Sequence, residues 1–588
     1  MSFTAQVKNW YLKKLPGMNN KVEDLDLKDK WVEKAQNCRF EEEPGALDKR
    51  EPTALLNDSS MGANPVPGLY RYYTSGGVAV WVAICGTSAY AINDSGTTTA
   101  IRTGLTDGKR CTFETYRDLL MVSNGFDNIW VWDGDTSDNV TWELGGCKAV
   151  VEGGAGNLDQ DTYQYAVTFD ADAVVTGAVS NIVTCDATNQ KVTLTNIPLG
   201  PTGTTDRKIY RTEGGGSAFK LLTTLGDNST TTYADNIADG SLTTAYPAVT
   251  DDMPKGSILK MHRERLFISG DPSDPSKIYY ANPYLPHYIQ QTTNLDYMEI
   301  SPDDGDEIMG IPIQLGDMIC IKKNSIRRVH VTSAVSGADP ETWYADDPMA
   351  WIGSPAQWSI TQTPNGVVFL GWDHWYVFDG ASAQPLFDEF DTREILEASY
   401  NDTVGFYHKE NFFAAYTDKE SGAQKHNRLM VYNLKRQALA YDTWTSSTIT
   451  GPNCFGARTG DDEIGDLFFG DSSAGYVIKS KDTNSVYRLR TKTEANSGTK
   501  STTFVGGTEN APYIEIGETT SASEIPDDIV IFWDGEVAEP GSGWTEITDN
   551  AGKLIKLSTT AGTTSAGTSH VHVLSGSIPI WYGSIRLP

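Results

Sequence analysis

The chain offers little that would hold a disulfide or a zinc ion. Its seven cysteines stand singly at 38, 85, 111, 147, 185, 320 and 454, with no Cys-x-x-Cys pair and an odd total. This argues against a disulfide framework and a zinc ribbon, and for buried free thiols made in a reducing cytoplasm. No apolar stretch approaches the ~18 residues of a membrane span, and Met1-Ser2-Phe3-Thr4-Ala5-Gln6 lacks the basic and hydrophobic regions of a leader, so the expectation is a soluble protein with no membrane insertion of its own. Basic residues are short: 47 Lys and Arg against 77 Asp and Glu give a net charge of −30. That balance disfavours adhesion to nucleic acid or anionic membrane, yet it suits DNA as a passing cargo, because an acidic wall offers no cations that would release the counterions of a polyanion. Gly-x-Ser-x-Gly, Walker and His-Glu-x-x-His motifs are missing. Ser137-Asp138-Asn139-Val140-Thr141-Trp142 superficially approaches a sialidase box but has its Asp out of place and lacks the Gly. The expectation is a non-enzyme.

Long 3.6-residue periodicity is scarce too, while 55 Gly and 10% aromatics favour strand and turn. What repeats is a unit of apolar strand, polar turn and second apolar strand ending at Asp-Gly. Leu119 to Val122 lead into Ile129-Trp130-Val131-Trp132-Asp133-Gly134, and Val367 to Leu370 lead into Trp375-Tyr376-Val377-Phe378-Asp379-Gly380. Weaker copies fall near Trp81, Arg265, Asn411 and Asp466. Apolar runs of four or five residues bounded by turn formers read as strands buried on both faces, and hairpins recurring through several hundred residues read as radial repetition. The fold class expected is all-β: a β-propeller of about six blades with an inserted β-sandwich and a small C-terminal β module.

Residues 1–57 form an N-terminal docking arm with ten acidic and ten basic residues. Trp31, Ala35 and Cys38 recur at helical spacing after Asp26, which predicts a short helix around 28–37. The arm has too few apolar residues for a core of its own. Propeller patterning occupies 58–154 and 249–492. Between them, 155–248 carries about seven short strands in ~95 residues, including the alternating run Tyr163 to Phe169, the signature of a Greek-key sandwich. Residues 493–526 are rich in Ser, Thr and Gly and read as a linker. Residues 527–588 form a last unit running from Ile529-Val530-Ile531-Phe532-Trp533 through Pro540-Gly541-Ser542-Gly543-Trp544 to Ser569-His570-Val571-His572.

Two phrases carry a family resemblance. Gly17-Met18-Asn19, Ala35-Gln36-Asn37-Cys38-Arg39 and Gly45-Ala46-Leu47-Asp48-Lys49-Arg50 follow the pattern Gly-x-Asn, Ala-x-Asn-x-Arg, Gly-x-Leu-x-x-Arg; Arg263-Glu264-Arg265-Leu266-Phe267-Ile268-Ser269-Gly270 followed by Ile278-Tyr279-Tyr280-Ala281-Asn282-Pro283 is the second. Together they resemble the tail nozzle (tail tubular) proteins of short-tailed, podovirus-type bacteriophages. The resemblance implies a virion structural protein of the phage tail: a β-propeller subunit of a homo-hexamer that forms the distal DNA-conducting tube, docks on the head-tail adaptor ring, supports tail fibres or spikes and takes part in DNA ejection. The inserted module resembles a fibronectin type III domain and the C-terminal unit a tail-collar or fibre tip. A receptor-binding tail fibre or carbohydrate-binding propeller is the alternative.

Candidate residues follow. His570 and His572, two apart on a strand, would present both imidazoles on one face; in related fibre tips such pairs bind a transition metal, the one cofactor to consider. The acidic turns Asp133 to Asp138, Asp303 to Glu307 and Asp461 to Glu463 offer carboxylates for calcium but miss EF-hand spacing. For interfaces the candidates are Trp31, Asn37, Arg39 and Arg50 of the arm and the basic cluster Lys322, Lys323, Arg327 and Arg328. For the lumen they are Asp303, Asp304, Asp306 and Glu307.

Overall fold

A computed structural model describes residues 17–21, 31–32, 34–40, 48–50, 53–154, 156–170, 177–187, 190–292, 295–331, 343–420, 426–444, 449–458 and 466–480, together with the backbone of short strands between 490 and 557. The chain is all-β. Seven antiparallel meanders follow one another and are numbered here sheets 1 to 7: residues 68–102, 112–143, 258–299, 308–345, 361–386, 404–443 and 452–479. The sequence count of about six is one short of these seven.

The order of the cores explains why the strands read as unbroken apolar runs. In sheet 2, Leu120 and Val122 pack with Tyr72, Val82 and Ile84 of sheet 1, while the intervening Met121 packs with Leu266 and Ile268 of sheet 3. Alternation with period two sends neighbours to opposite faces, and both faces are covered. The same arrangement joins sheet 3 to sheet 4 through Phe267, Ile278, Met318 and Val329, and sheet 4 to sheet 5 through Ile319, Ile321, Val367 and Phe369. Val368, Trp375, Phe412 and Met430 join sheets 5 and 6, and Phe413, Val431, Phe455 and Phe469 join sheets 6 and 7. The last cluster, Leu69, Trp81, Cys454 and Phe468, returns from sheet 7 to sheet 1. The seven cores therefore close a cycle.

Two of the tight turns between first and second strands hold both central residues in the left-handed region without glycine. Arg117 and Asp118 have φ of 47° and 61°, and Arg263 and Glu264 have 47° and 62°, the left-handed pair that a two-residue hairpin requires. Thus Arg263-Glu264 turns the first hairpin of sheet 3, and Arg265–Asp271 is its second strand.

The N-terminal segment is woven into this cycle at two places. Ala54–Leu55 pairs antiparallel with Val477–Lys479 and supplies the fourth strand of sheet 7. Lys34–Gln36 pairs parallel with the outer strand of sheet 6, Gln36 opposite Tyr441, and its other edge pairs with Tyr513–Glu515. The helix expected over 28–37 is thus a strand over its described C-terminal part. Asn37 explains the misleading spacing: its φ of 55° breaks the alternation, so Ala35 and Cys38, three apart, both turn inward to 0% and 2% exposure. Met18, Val32, Ala35, Cys38 and Phe40 all belong to the sheet 5–6 core.

The inserted unit contains two three-stranded sheets and a two-stranded pair, Thr162–Tyr163 with Val183–Thr184. Lys148–Glu152, Lys191–Thr195 and Tyr233–Asp235 form one three-stranded sheet; Tyr165–Phe169, Arg207–Thr212 and Phe219–Leu225 form the other. Ala149, Tyr165, Val167, Val192, Leu194 and Ile209 share their core, which Tyr288 of the ring also enters. Buried Arg211 is held between Asp235 and Asp239, each at 2.6 Å. At the C-terminal end, Val530–Trp533, Trp544–Thr548 and Lys553–Leu557 pair as a three-stranded sheet. All seven cysteines are free and buried, and burial pushes the thiols of Cys38, Cys147, Cys320 and Cys454 up to about 12.

Candidate functional site

Where the seven sheets converge they leave a cavity of about 560 Å³. Its wall is built from the connections that enter each sheet and from turns between second and third strands. Sheets 1 to 3 contribute Pro67, Arg110 and Ser257, and sheets 4 to 7 contribute Ile308, Trp358, Asp402 and Asn453. The turn of sheet 2 is shaped locally: the Asn124 carboxamide oxygen accepts from the N–H groups of Phe126 (2.9 Å) and Asp127 (2.8 Å). Gly125 follows at φ 78°, and a Cβ there would come within 3.0 Å of Ser257, so this contact between sheets 2 and 3 needs a residue without a side chain.

Arg110 spans the centre. It donates to the Asn453 backbone oxygen, to Asn453 Oδ1 at 2.9 Å and to the Asp402 backbone oxygen at 3.4 Å, tying the entry of sheet 2 to sheets 6 and 7. Burial pulls its pKa below the ordinary guanidinium value, against the opposing charge of Asp402. Lys109 beside it rests its ammonium 3.7 Å from the centroid of the Phe126 ring. Asp107, Asp271, Glu307 and Asp402 supply carboxylates to the wall. Chemically the cavity is mixed: aromatic and proline surface, two cations and four anions. None of its residues forms a nucleophile–base pair in the hydrogen bonds described.

The residues singled out from sequence are distributed as follows. Arg39 makes two bonds to Asp442, at 2.8 and 2.6 Å, and Arg50 approaches the same carboxylate at 3.7 Å while stacking over Trp444. Asn37 is buried and accepts from Thr443 N–H at 3.1 Å. Trp31 is half-buried. In the basic cluster, Lys322 is fully buried and reaches Asp304 at 2.6 Å. Lys323 pairs with Glu307 at 2.8 Å, Arg327 donates to the Asp346 backbone oxygen at 3.2 Å, and Arg328 donates to the Gly380 backbone oxygen at 2.6 Å. These contacts lie within the chain.

Of the lumen candidates, Asp303 is exposed, Asp304 answers Lys322, and buried Asp306 accepts from Asn324 N–H at 3.2 Å; only Glu307 lines the cavity. Burial raises the Asp304 carboxyl, but Lys322 holds it below the usual range. The turn Asp133 to Asp138 converges on Lys148, with Asp133, Asp135 and Asp138 at 2.9, 3.3 and 2.7 Å; an ammonium sits where calcium was considered. Among the described residues no His, Cys, Asp and Glu group is arranged for a metal ion. His570, His572 and Asp461 to Glu463 lie outside the described residues.

Arg110, Lys148 and Asp442 were missed from the sequence. The partners of each lie 10 to several hundred residues away, and no local spacing marks them.

No protein-family model matches the chain and no curated protein matches it. Solved structures similar to it include the computationally designed Ika8 protein, at 9% identity over 72% of this chain and 98% of that one with a TM-score of 0.31. Saccharomyces cerevisiae Sqt1 has 9% identity over 73% and 100%, TM-score 0.34, and the N-terminal domain of Nup159 has 7% over 73% and 95%, TM-score 0.25. Likenesses of this size decide neither fold nor function.

Proposed function

We propose that the ring of sheets is a β-propeller with seven blades, that the inserted unit is a β-sandwich of the fibronectin type III kind, and that the chain is a structural, non-enzymatic subunit of a short-tailed phage tail nozzle. The observation that carries the reading is the use made of the two phrases behind the family resemblance. Gly17 to Asn19, Asn37, Arg39 and Arg50 converge on sheet 6, where Met18 N–H donates to the Leu439 backbone oxygen at 2.9 Å, and Arg263 to Gly270 supplies the turn and most of the second strand of the first hairpin of sheet 3. Both phrases are therefore fold-determining joints, the kind of residue that proteins sharing a fold have in common.

In this reading six copies form a ring, dock on the adaptor above, hold fibres on the flank and conduct DNA in the virion. The cavity inside one subunit has small-molecule size, so the DNA path runs between copies. The charge of −30 keeps that path from holding a polyanion. Negative-stain imaging of the purified chain at rising concentration tests the reading: six-fold rings are expected. Three-fold rods would favour the receptor-binding fibre, and a monomer at every concentration and in the presence of its adaptor would end the nozzle assignment.

A further inference from the structure

We propose that the cavity at the centre of the ring is a binding site for an organic cation, an alkylammonium or guanidinium group. Its volume of about 560 Å³ lies within the ~300–1,000 Å³ of small-ligand sites, and the side chains around it are unequally matched. Among the cations, Arg110 is committed to oxygens of Asn453 and Asp402, and Lys109 lies on Phe126. Among the anions, Glu307 is paired with Lys323 at 2.8 Å, and Asp271 accepts the Ser273 N–H at 2.8 Å. Asp107 and Asp402 remain: among the described residues neither carboxylate makes a hydrogen bond or a contact ion pair, and Asp402 meets Arg110 only as a more distant charge. The wall carries four carboxylates against the two cations Lys109 and Arg110, and this excess of negative charge favours an incoming cation.

The aromatic surface narrows the class. Trp358 lines the same cavity, and indole is the strongest of the side-chain faces for an ammonium or guanidinium ion. Lys109 over Phe126 is an internal instance of that contact, made by a primary ammonium in the same wall. A bare metal ion fits poorly, since no metal-ligating group is arranged among the described residues and Pro272, Met309 and Trp358 present hydrocarbon. The shared chemistry has two sources, a free polyamine or a lysine or arginine side chain offered by a partner. The inference does not depend on the nozzle reading.

Calorimetric titration of the full chain with spermidine, and separately with N-acetyl-lysine methylamide, tests it, with the methyl resonance of Met309 reporting location. The double variant Asp107→Asn, Asp402→Asn is set beside a charge-matched control, Asp347→Asn, Asp388→Asn, both exposed and outside the cavity. One-site binding that shifts Met309 is expected, weakened about tenfold or more in the cavity variant and less than about twofold in the control. Lysine amide binding comparable to spermidine assigns the cation to a partner's side chain, and spermidine binding alone assigns it to a free polyamine. Equal losses in both variants mean diffuse adhesion to an acidic surface and overturn the proposal, as does absence of saturable binding by either probe in a variant set that melts like the parent.

Discussion

Sheets 6 and 7 both accept a strand from the N-terminal segment, and they use it differently. Sheet 7 has three strands of its own, and Ala54–Leu55 completes it; without that strand the edge of Val477–Lys479 would be left unpaired at the place where the cycle closes. Sheet 6 already has four strands, and Lys34–Gln36 is added outside them in parallel. The closing strand is held mainly by neutral bonds. Asn57, 0% exposed, donates to the Gly475 backbone oxygen at 3.0 Å and accepts from Val477 N–H at 2.7 Å. The added strand is held by charge, with Arg39 and Arg50 meeting at Asp442, itself 1% exposed. Completion of a sheet needs little besides backbone pairing, whereas an extra strand needs an anchor that specifies where it lies.

The largest effect should come from truncation. Removing residues 1–57 takes away both strands, and the product should show no native cooperative transition in thermal circular dichroism. Removing 1–50 leaves the closing strand, and a folded chain with a lowered Tm is expected, since Met18, Val32, Ala35, Cys38 and Phe40 leave the core. The arm has too few apolar residues for a core of its own, but these five are buried in the core between sheets 5 and 6 and tie it to the fold. Equal melting of the two truncations would remove the distinction between completion and addition.

Next is Asp442→Ala, which strands two guanidinium groups in a buried setting. Breaking a buried pair from one side costs about 3–5 kcal/mol, readable as a shift of the urea midpoint. A change near zero would mean that the arm detaches at no cost. Asn57→Ala should cost less, about 1–3 kcal/mol for backbone groups left without partners, and should raise hydrogen exchange at Val477 while leaving Tyr441 unchanged.

The smallest effect is a pH dependence at the arm. Glu394, bonded to Asn20 of the arm, is raised to about 7 by burial, against the Asn20 bond and reinforced by Asp418 and Asp391, with Arg428 opposing. The folded state then keeps a proton that the unfolded carboxyl releases above about 4.5. Its contribution is fully present below that value and is lost as pH rises through about 7. Because the side chain is only partly buried, the span should be about 1–2 kcal/mol after screening. Glu394→Gln should flatten the decline of Tm between pH 5 and 8; an unchanged slope would place the titration elsewhere.

Strand content was legible because packing on both faces writes itself into consecutive residues, as in Leu119 to Val122 and Val367 to Leu370. Facing was not. Trp132 and Trp375 look like counterparts and are both buried, yet Trp132 faces sheet 1 and Trp375 faces sheet 6; aligned on the Asp-Gly that ends each strand, Trp132 corresponds to Phe378. The inserted unit was placed from 155, although its first strand is Lys148–Glu152, because an apolar run there reads like one more strand of the ring. The central cavity was not legible at all. It draws a few residues each from widely separated connections and turns, and only closure of the ring brings Asp107, Trp358 and Asp402 around one space.

The strand that closes the cycle also sets a clock. Ala54–Leu55 emerges early in synthesis, but its partner Val477–Lys479 comes more than 400 residues later. At ~5–20 residues per second of elongation, the first sheet stands with an open flank for about 20–80 s before sheet 7 exists to meet it. The ring cannot be finished on the ribosome until nearly the whole chain is out. During that interval the faces of Leu69 and Trp81 that later meet Phe468 are exposed to any neighbour on the same message, so yield in the cell should depend on translation speed and chaperone supply more than on the stability of the finished molecule.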